Sequence, residues 1–263
     1  MSLPRLIVPS PGPYFEGRLV ALSPDQARHL HTLRLKAGAA LELLMEDGPW
    51  QADLTGITPN AAHARLISPL HEIRESPIPL HACLPLTSHL ATWEDWLPPL
   101  VELGVTHIHP IIYARSEYDA RRTLAKAARW SRIIASSVEQ SHRSHIPELL
   151  PVQPFETLLD WGIPQRWVAY EAAAGIVNPM LSMEALSFTC GPEGGITDEE
   201  FSALQDSGWQ PVCLGRSILR AVTAPIAMMG AIQSGRRGRD FFSRLRKPSH
   251  AVLSSDWWLS CVV

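Results

Sequence analysis

The pattern of apolar and polar positions divides the chain into two unlike regions. Over residues 1–70, short runs of alternating apolar and polar side chains are separated by turn signals such as Glu46-Asp47-Gly48-Pro49. Such runs are typical of β-strands, and they predict strands at about residues 5–8, 17–22, 40–46, 50–57 and 62–68. One short helix is also predicted, with Ser23 as its N-cap and Pro24 at its first helical position. The first region is therefore predicted to be a small β-barrel.

From residue 80 the pattern changes to strands that alternate with helices. The predicted strands are at about residues 81–86, 105–113, 167–171, 186–190 and 212–214, and the predicted helices at about 89–103, 119–142, 198–207 and 221–235. This alternation is typical of an α/β fold, in which a parallel sheet carries helices on both faces. Ligands of such folds bind at the carboxyl ends of the strands. The segments that follow the strands are therefore the candidate ligand loops.

A charged, proline-bounded segment, residues 69–79, separates the two regions and is interpreted as a linker. We accordingly predict a β-domain at residues 1–72 and an α/β domain at residues 73–240. A tail of unknown role is predicted at residues 241–263.

Charge and hydrophobic content are compatible with an RNA partner but do not require one. The chain has 263 residues, of which 46% are hydrophobic, enough to bury a full core. Its formal net charge is −3, so no overall positive field indicates nucleic acid. Locally, residues 115–143 contain seven Lys or Arg and three Asp or Glu, a difference of +4. This basic run is either a solvated helix face or an RNA-binding surface.

Cysteine and histidine spacing argues against a disulfide framework or a metal site. The four cysteines are scattered, without a Cys-x-x-Cys, which is typical of reduced thiols in a cytoplasmic protein. The pairs His29/His31 and His107/His109 have no further ligands nearby in sequence, so no metal is predicted. No apolar run reaches about 18 residues and no targeting segment is visible. We expect a soluble cytoplasmic protein with no membrane partner.

Two glycine-containing segments carry the candidate chemistry. They are Cys190-Gly191-Pro192-Glu193-Gly194-Gly195 and Leu214-Gly215-Arg216-Ser217-Ile218-Leu219-Arg220. Each follows a predicted strand and precedes a predicted helix. The glycines leave a bare backbone edge that suits a ligand lying flat against the chain. The alternative for the first segment is a tight turn into a helix capped by Thr197, with Glu200 completing a capping box.

Both segments resemble, in this order, the SPOUT class of S-adenosylmethionine-dependent RNA methyltransferases. More narrowly, they are similar to the RsmE-type enzymes that methylate N3 of one uridine in 16S ribosomal RNA. The resemblance also takes in residues 31–38, 102–105, 115–116 and 139–148, in family order. It implies a trefoil-knotted SPOUT sheet preceded by a PUA-like RNA-binding barrel, with S-adenosylmethionine as cofactor. The implied partner is 16S rRNA within the small ribosomal subunit.

The resemblance also implies roles for particular residues. The implied cofactor-binding residues are Glu171, Gly191, Pro192, Gly194, Gly195, Leu214, Gly215, Ile218 and Leu219. The candidate RNA-binding residues are Arg34 and Lys36 in the barrel and Arg121 and Arg122 in the basic run. Because the nucleophile is a deprotonated uridine, a fixed cation near its O2 or O4 would stabilise it. The candidate catalytic residues are Arg115, Arg143 and Arg220, although Arg143 could instead pair with Glu139 one helical turn back.

Departures from the family pattern bear on activity. Ser217 stands where the family has an arginine and Val222 where it has a glutamate, so the charge of the active site is altered. Pro98-Pro99 is expected to interrupt the helix that precedes residue 103. We therefore keep two hypotheses. One is a uridine-N3 methyltransferase for 16S rRNA, and the other is an RNA-binding SPOUT-fold protein with weakened or altered methyltransferase activity.

A stripe of small residues bears on assembly. Ala221, Ala224, Ala227 and Ala231 recur at spacings of three, three and four in the last predicted helix. Another helix could approach closely along this stripe, and so could the protein's own sheet. SPOUT enzymes commonly pair through helices next to the cofactor loops, and this resemblance favours a homodimer.

Overall fold

The first region of the chain forms a five-stranded sheet with one helix. The computed structural model describes residues 3–71, 75–88, 90–116, 120–171, 184–215 and 217–245. Strands β1 (Arg5–Ile7), β2 (Leu19–Leu22), β3 (Ala40–Met45), β4 (Gly48–Ile57) and β5 (Ala62–Pro69) pair in the order β1-β3-β4-β5-β2, and helix α1 spans Pro24–Thr32. The β1–β3 pair is parallel and the other pairs are antiparallel. The predicted strands and helix are confirmed.

Alternating burial explains why these residues form a sheet with one covered face. In β5, Ala62, Ala64 and Leu66 are buried and the residues between them are exposed, as expected for a strand with one face on a core. Helix α1 begins with a capping box in which the side chain of Ser23 accepts from the N–H of Gln26 and that of Gln26 accepts from the N–H of Ser23. The predicted cap is therefore confirmed.

The second region forms a seven-stranded sheet in which the strands pair in parallel. Its strands are β6 (Leu80–Pro85), β7 (His107–Ile112), β8 (Glu148–Leu149), β9 (Gln153–Pro154), β10 (Gln165–Ala169), β11 (Leu186–Thr189) and β12 (Gln210–Val212). The order is β12-β10-β11-β6-β7-β8, and β9 also pairs with β7. Parallel strands need long crossover connections, and α-helices lie in those between β6 and β7, β7 and β8, and β11 and β12.

Helices cover both faces of this sheet, as predicted. They are α2 (Leu90–Glu102), α3 (Ala120–Ser141), α4 (Asp198–Asp206) and α5 (Ala224–Leu245), with a short 3-10 helix at Phe155–Leu158. Alternate strand residues enter two separate cores. On β10, for example, Trp167 joins the core that includes residues of α2, α3 and α5, whereas Val168 joins the core that includes Leu204 of α4. Such double burial is typical of parallel sheets.

Two sequence expectations about the helices were wrong. Helix α2 continues through Pro98 and Pro99, although these residues lack the N–H groups that would bond the carbonyls of Glu94 and Asp95. The helix is held by tertiary packing, since Trp93, Trp96, Leu97, Leu100 and Val101 are all buried. Helix α5 continues to Leu245, beyond the predicted end at 235 and across the predicted domain boundary at 240. It begins at Ala224, so Pro225 lies in its first turn, where proline is tolerated.

The C-terminal end of α3 contacts the first sheet through polar side chains. The carboxylate of Glu139 accepts a hydrogen bond of 2.9 Å from the backbone N–H of Ile7. Glu42 of β3 lies 2.8 Å from Nδ1 of His142 and also pairs with Arg5. His142 adopts a φ of +55°, in the left-handed region that favours glycine. The two sheets are therefore joined where α3 ends.

Two further observations on the described residues concern membranes and metal ions. In those parts of the chain, no helix combines the length and apolar character needed to cross a membrane. No group of three or more His, Cys, Asp or Glu side chains there is arranged to hold a metal ion. Cys83 and Cys190 are buried free thiols, and burial raises the pKa of Cys190 to about 12. Burial raises the pKa of Cys83 as well, which favours the protonated thiol at both positions near neutral pH.

Candidate active site

Four loops meet at the carboxyl edge of the second sheet. They follow β7, β10, β11 and β12 and contain, respectively, Arg115, Glu171, the segment 191–195 and residues 213–215 with 217–219. Strands β12, β10 and β11 are immediate neighbours, so the last three loops lie side by side. This is the edge at which open α/β sheets bind ligands.

A cleft opens between the ends of β10 and β12. Its lining residues are Ala169, Tyr170, Glu171, Val212, Cys213, Leu214, Gly215, Ser217, Ile218, Leu219 and Ala224. Its empty volume, including the open mouth, is about 360 Å³. Five of the predicted cofactor-binding residues, Glu171, Leu214, Gly215, Ile218 and Leu219, therefore lie together in one cleft.

The chemistry of this cleft suits a nucleoside. Leu214, Ile218 and Leu219 supply apolar surface for a flat base, and Ile218 is 81% exposed at the rim. Gly215 has a φ of +151° and an open space where a side chain would stand, so a ligand could approach its backbone closely. The carboxylate of Glu171 can accept hydrogen bonds from ribose hydroxyls, as acidic residues do in other nucleotide sites. These residues fit S-adenosylmethionine.

Sequence reasoning missed Tyr170 and Cys213 as cleft residues. The ring of Tyr170 stacks on that of Phe201 from α4, with centroids 3.8 Å apart. The thiol of Cys213 donates to the carbonyl of Gly215 at 2.9 Å. Their positions at the carboxyl ends of β10 and β12 are the signal that could have found them.

The glycine-rich segment 191–195 packs on Arg115 instead of lining the cleft. The guanidinium of Arg115 donates to the carbonyl of Gly194 at 2.7 Å. A Cβ on Gly194 would stand 3.1 Å from the Cβ of Arg115, and one on Gly191 would stand 3.0 Å from the side chain of Ile196. Gly195 has a φ of +75°. The turn itself therefore requires these glycines, and the cofactor role of Gly191, Pro192, Gly194 and Gly195 stays a prediction.

The turn reading of this segment is confirmed by the start of α4. Thr197 is the N-cap, and its side chain accepts from the N–H of Glu200 while the Glu200 carboxylate accepts from the N–H of Thr197. The pKa of Glu199 is lowered, first by a hydrogen bond from its own backbone N–H and one from Thr197, and to a smaller degree by the charge of Arg115. Arg115 therefore lies close to the first turn of α4.

The three candidate catalytic arginines occupy different environments. Arg115 is exposed beside the glycine-rich segment, and Arg220 is exposed directly after the cleft residue Leu219. Arg143 is 2% exposed. Its guanidinium forms an ion pair with Glu75 and donates to the carbonyl of Val105 at 2.5 Å.

The placement of Arg143 corrects the expectation that it is catalytic. Val105 precedes β7, whereas Arg115 follows it, so Arg143 lies at the end of the sheet opposite the cleft. Its partner is Glu75 in the linker and not Glu139. The guanidinium N–H groups of Arg143 are engaged in this ion pair and in hydrogen bonds to backbone carbonyls, and we assign Arg143 a structural role.

The candidate RNA-binding residues lie on the surface. Arg34, Lys36, Arg121 and Arg122 are all exposed. Within the basic run, Lys126 and Arg129 both pair with Glu94 of α2, at 2.9 and 2.8 Å. Arg121 and Arg122 lie at the start of α3, one helical turn before this pair of cations.

Three histidine rings lie on one face of β6 and β7, away from the cleft. His81 stacks on His107 with centroids 4.1 Å apart, and Nδ1 of His81 lies 3.0 Å from Nε2 of His109. The ring of Trp161 packs edge-on against His109 at 4.7 Å. Burial, followed by the charges of His107 and His109, lowers the pKa of His81 to about 3. Burial is also the main cause that lowers the pKa of His109, to about 4.

The fold and the cleft together define the class of protein. A parallel sheet with helices on both faces and a cleft at its carboxyl edge is the SPOUT-type arrangement predicted from the sequence. Residues 74–233 match the family described as "RNA methyltransferase domain", and the chain belongs to this family.

Relatives and solved structures agree with this assignment. The chain is 30% identical to ribosomal RNA small subunit methyltransferase E of Synechocystis over 82% of this chain and 73% of that protein. It is 27% identical to the Bacillus subtilis protein of the same name, over 82% and 90%. The chain is also similar to the crystal structure of ribosomal RNA small subunit methyltransferase E from Neisseria gonorrhoeae bound to S-adenosyl methionine, with a TM-score of 0.80 and 30% identity. The match covers 89% of this chain and 98% of that chain. The predicted fold is confirmed.

Proposed function

We propose that this protein is an S-adenosylmethionine-dependent methyltransferase that acts on N3 of a uridine in 16S ribosomal RNA. The observation that carries the proposal is the cleft between β10 and β12, which brings five predicted cofactor residues together at the sheet edge that also holds Arg115. The names of the relatives support small-subunit rRNA as substrate. N3 of uridine rests on the resemblance to RsmE-type enzymes.

The cleft would hold the cofactor through the chain's own groups. Leu214 and Leu219 would enclose the base, the backbone at Gly215 would approach it, and Glu171 would bind the ribose hydroxyls. When bound, S-adenosylmethionine supplies an electrophilic methyl group on a sulfonium. The glycine-rich segment, which follows the neighbouring strand β11, would border the methionine side.

Arg115 is the leading candidate for stabilising the deprotonated uridine. Its guanidinium is fixed by Gly194 and is exposed beside the glycine-rich segment. A fixed cation lowers the cost of a developing oxyanion without reorganisation. Arg220, next to the cleft, is the second candidate. Orientation of the two reactants can contribute roughly 7–11 kcal/mol, so few catalytic side chains are needed.

The RNA would bind across both regions of the chain. Arg121 and Arg122 at the start of α3, and Arg34 and Lys36 in the first region, are exposed cations suited to phosphate contacts. Affinity for small subunits should therefore fall steeply with salt, and Arg121→Ala/Arg122→Ala should flatten the logarithmic slope by about one to two units. A flat salt dependence in the parent protein would refute the RNA surface.

A homodimer and a cytoplasmic location complete the proposal. Met228, Met229 and Ile232 of α5 are buried in the core, whereas Ala227 is half-buried and Ala231 exposed. The small-residue stripe is thus left partly open to a second copy. A location in the cytoplasm follows from the ribosomal substrate.

The alternative is an RNA-binding protein with weakened methyl transfer. Ser217 adds no charge to the cleft that it lines. Val222 packs against the core, and its carbonyl accepts from the indole N–H of Trp96 at 3.0 Å. Neither Ser217 nor Val222 supplies the charged side chain that the family has at that position.

The test uses small ribosomal subunits from a strain that lacks 3-methyluridine in 16S rRNA. They are incubated with the purified protein and S-adenosylmethionine, and the rRNA nucleosides are analysed by mass spectrometry. Formation of 3-methyluridine supports the enzyme. Cofactor and subunit binding without any methylated nucleoside would favour the alternative, and methylation at another atom would refute the N3 assignment.

A further inference from the structure

The side chain of Glu200 joins two loops that are far apart in sequence. It is 8% exposed. Its Oε2 accepts from the N–H of Thr197 at 3.0 Å within the capping box, and its Oε1 accepts from the N–H of Ala114 at 2.7 Å, 86 residues away. Ala114 directly precedes Arg115. One buried carboxylate therefore fixes both the start of α4 and the backbone that carries the candidate catalytic arginine.

The capping box of α1 shows why position 200 must be a carboxylate. There, Oε1 of Gln26 accepts from Ser23 at 2.9 Å and its Nε2 donates to the carbonyl of Ile7 at 2.7 Å. An amide suits that site because its outside partner is an acceptor. At Glu200 the outside partner is the N–H of Ala114, a donor, so the side chain needs two acceptor oxygens. Glutamine at this position could keep the cap but would set its NH₂ against another N–H.

A second contact closes the connection between the same two loops. Arg115 reaches back to the carbonyl of Gly194, three residues before the N-cap Thr197 of α4. Arg115 lies in a tight turn that two hydrogen bonds close. The N–H of Ser116 donates to the carbonyl of Tyr113 at 2.9 Å, and the Ser116 hydroxyl accepts from the N–H of Tyr113 at 3.1 Å. Arg115 is thus held by Glu200 through the backbone N–H of the preceding residue, Ala114, and by Gly194 through its guanidinium.

We propose that Glu200 is a positioning residue for methyl transfer, which holds Arg115 against the glycine-rich segment by accepting from the N–H of Ala114. This inference rests on the proposed function and adds a residue to it. Glu200 acts through Arg115 and does not touch the substrate. Since the contact requires two acceptor oxygens, glutamine is the substitution that removes it while leaving the helix cap in place.

The experiment compares Glu200→Gln with Asp198→Asn in the full-length protein. Asp198 is an exposed acid in the same helical turn, so its variant loses the same charge near the helix N-terminus without touching Ala114. We expect Glu200→Gln to lower kcat about tenfold or more, since small displacements of positioned groups can cost up to about a hundredfold. The KM for S-adenosylmethionine should stay within about twofold of the parent. Asp198→Asn should retain the parent kcat.

A double-mutant cycle separates positioning from a general structural effect. If Glu200 works through Arg115, Glu200→Gln should cause no further loss of kcat in an Arg115→Ala background. Losses that multiply would overturn the inference, and so would equal kcat values for Glu200→Gln and Asp198→Asn.

Amide exchange provides a readout that does not depend on activity. Glu200→Gln should speed exchange in residues 113–116, whereas Asp198→Asn should not. Unchanged exchange in Glu200→Gln would overturn the inference even in an active enzyme. A parent protein that forms no 3-methyluridine would refute the proposed function, while the exchange result would still decide whether Glu200 holds the loop.

Discussion

Acid should destabilise this protein through the buried histidines of β6 and β7. His109 is 6% exposed, and its pKa is about 4 in the folded protein against an ordinary value near 6.5. A base whose pKa is lowered by folding binds fewer protons in the native state than in the unfolded chain. The contribution of neutral His109 to the free energy of unfolding is therefore complete above about pH 6.5. It is lost as the pH falls from there towards 4.

The size of the effect follows from the same pKa values. At pH 5 the unfolded histidine is almost fully protonated and the folded one almost neutral, which costs about 2 kcal/mol for His109. His81, with a pKa of about 3, would add a similar amount if its ring were fully shielded from solvent. It is only half-buried, so solvent screening reduces its share. Together they should lower the free energy of unfolding by about 2–3 kcal/mol between pH 7.5 and pH 5.

Urea unfolding followed by tryptophan fluorescence at the two pH values measures this loss. His109→Gln should lose about 2 kcal/mol less than the parent, because one of the two groups no longer titrates. His31→Gln is the control, since His31 is exposed on α1. An equal loss for the parent and His109→Gln would refute the reasoning.

Three further predictions concern stability and assembly. Arg143→Met should lower the free energy of unfolding by about 3–5 kcal/mol, since it leaves the carboxylate of Glu75 buried without its cation; a loss below about 1 kcal/mol in urea unfolding would contradict the structural role. Gly195→Val should cost about 1–3 kcal/mol, because a β-branched residue is strained at positive φ, and an unchanged melting temperature would contradict this. Ala227→Arg should turn the proposed dimer into a monomer with much reduced methyl transfer. Sedimentation that shows the parent to be a fully active monomer at micromolar concentration would reject the dimer.

Local patterns predicted the elements of this fold well. The strand at residues 62–68 and the cap at Ser23 depend on periodicity and on side chains a few residues apart, and both are confirmed. The carboxyl-edge position of Leu214 and Gly215 followed from the alternation of strands and helices. Each of these signals is contained within one element and its flanks.

Contacts between distant residues could not be read in the same way. Arg143 was predicted to act on substrate or to pair with Glu139, because its actual partner, Glu75, is 68 residues away in sequence. The glycine at 194 suggested a bound ligand, although its close neighbour is Arg115, 79 residues away. Helix α2 likewise continues through Pro98 because its tryptophans, Trp93 and Trp96, are buried in a core shared with the second sheet. The chemistry of one side chain does not reveal which distant residue it will contact. That partner is known only once the folded structure is known.

Helix α3 has a further consequence for the kind of RNA that the protein can use. Its 22 residues span about 33 Å, with Arg121 and Arg122 at one end and the junction with the first sheet at the other. The junction is fixed by Glu139 and His142, so the helix would act as a rigid spacer between the two proposed phosphate-binding surfaces. A short flexible oligonucleotide would occupy one of them at a time. Folded ribosomal RNA, whose phosphates are already held at set separations, would occupy both, and the protein would then select its substrate by its length.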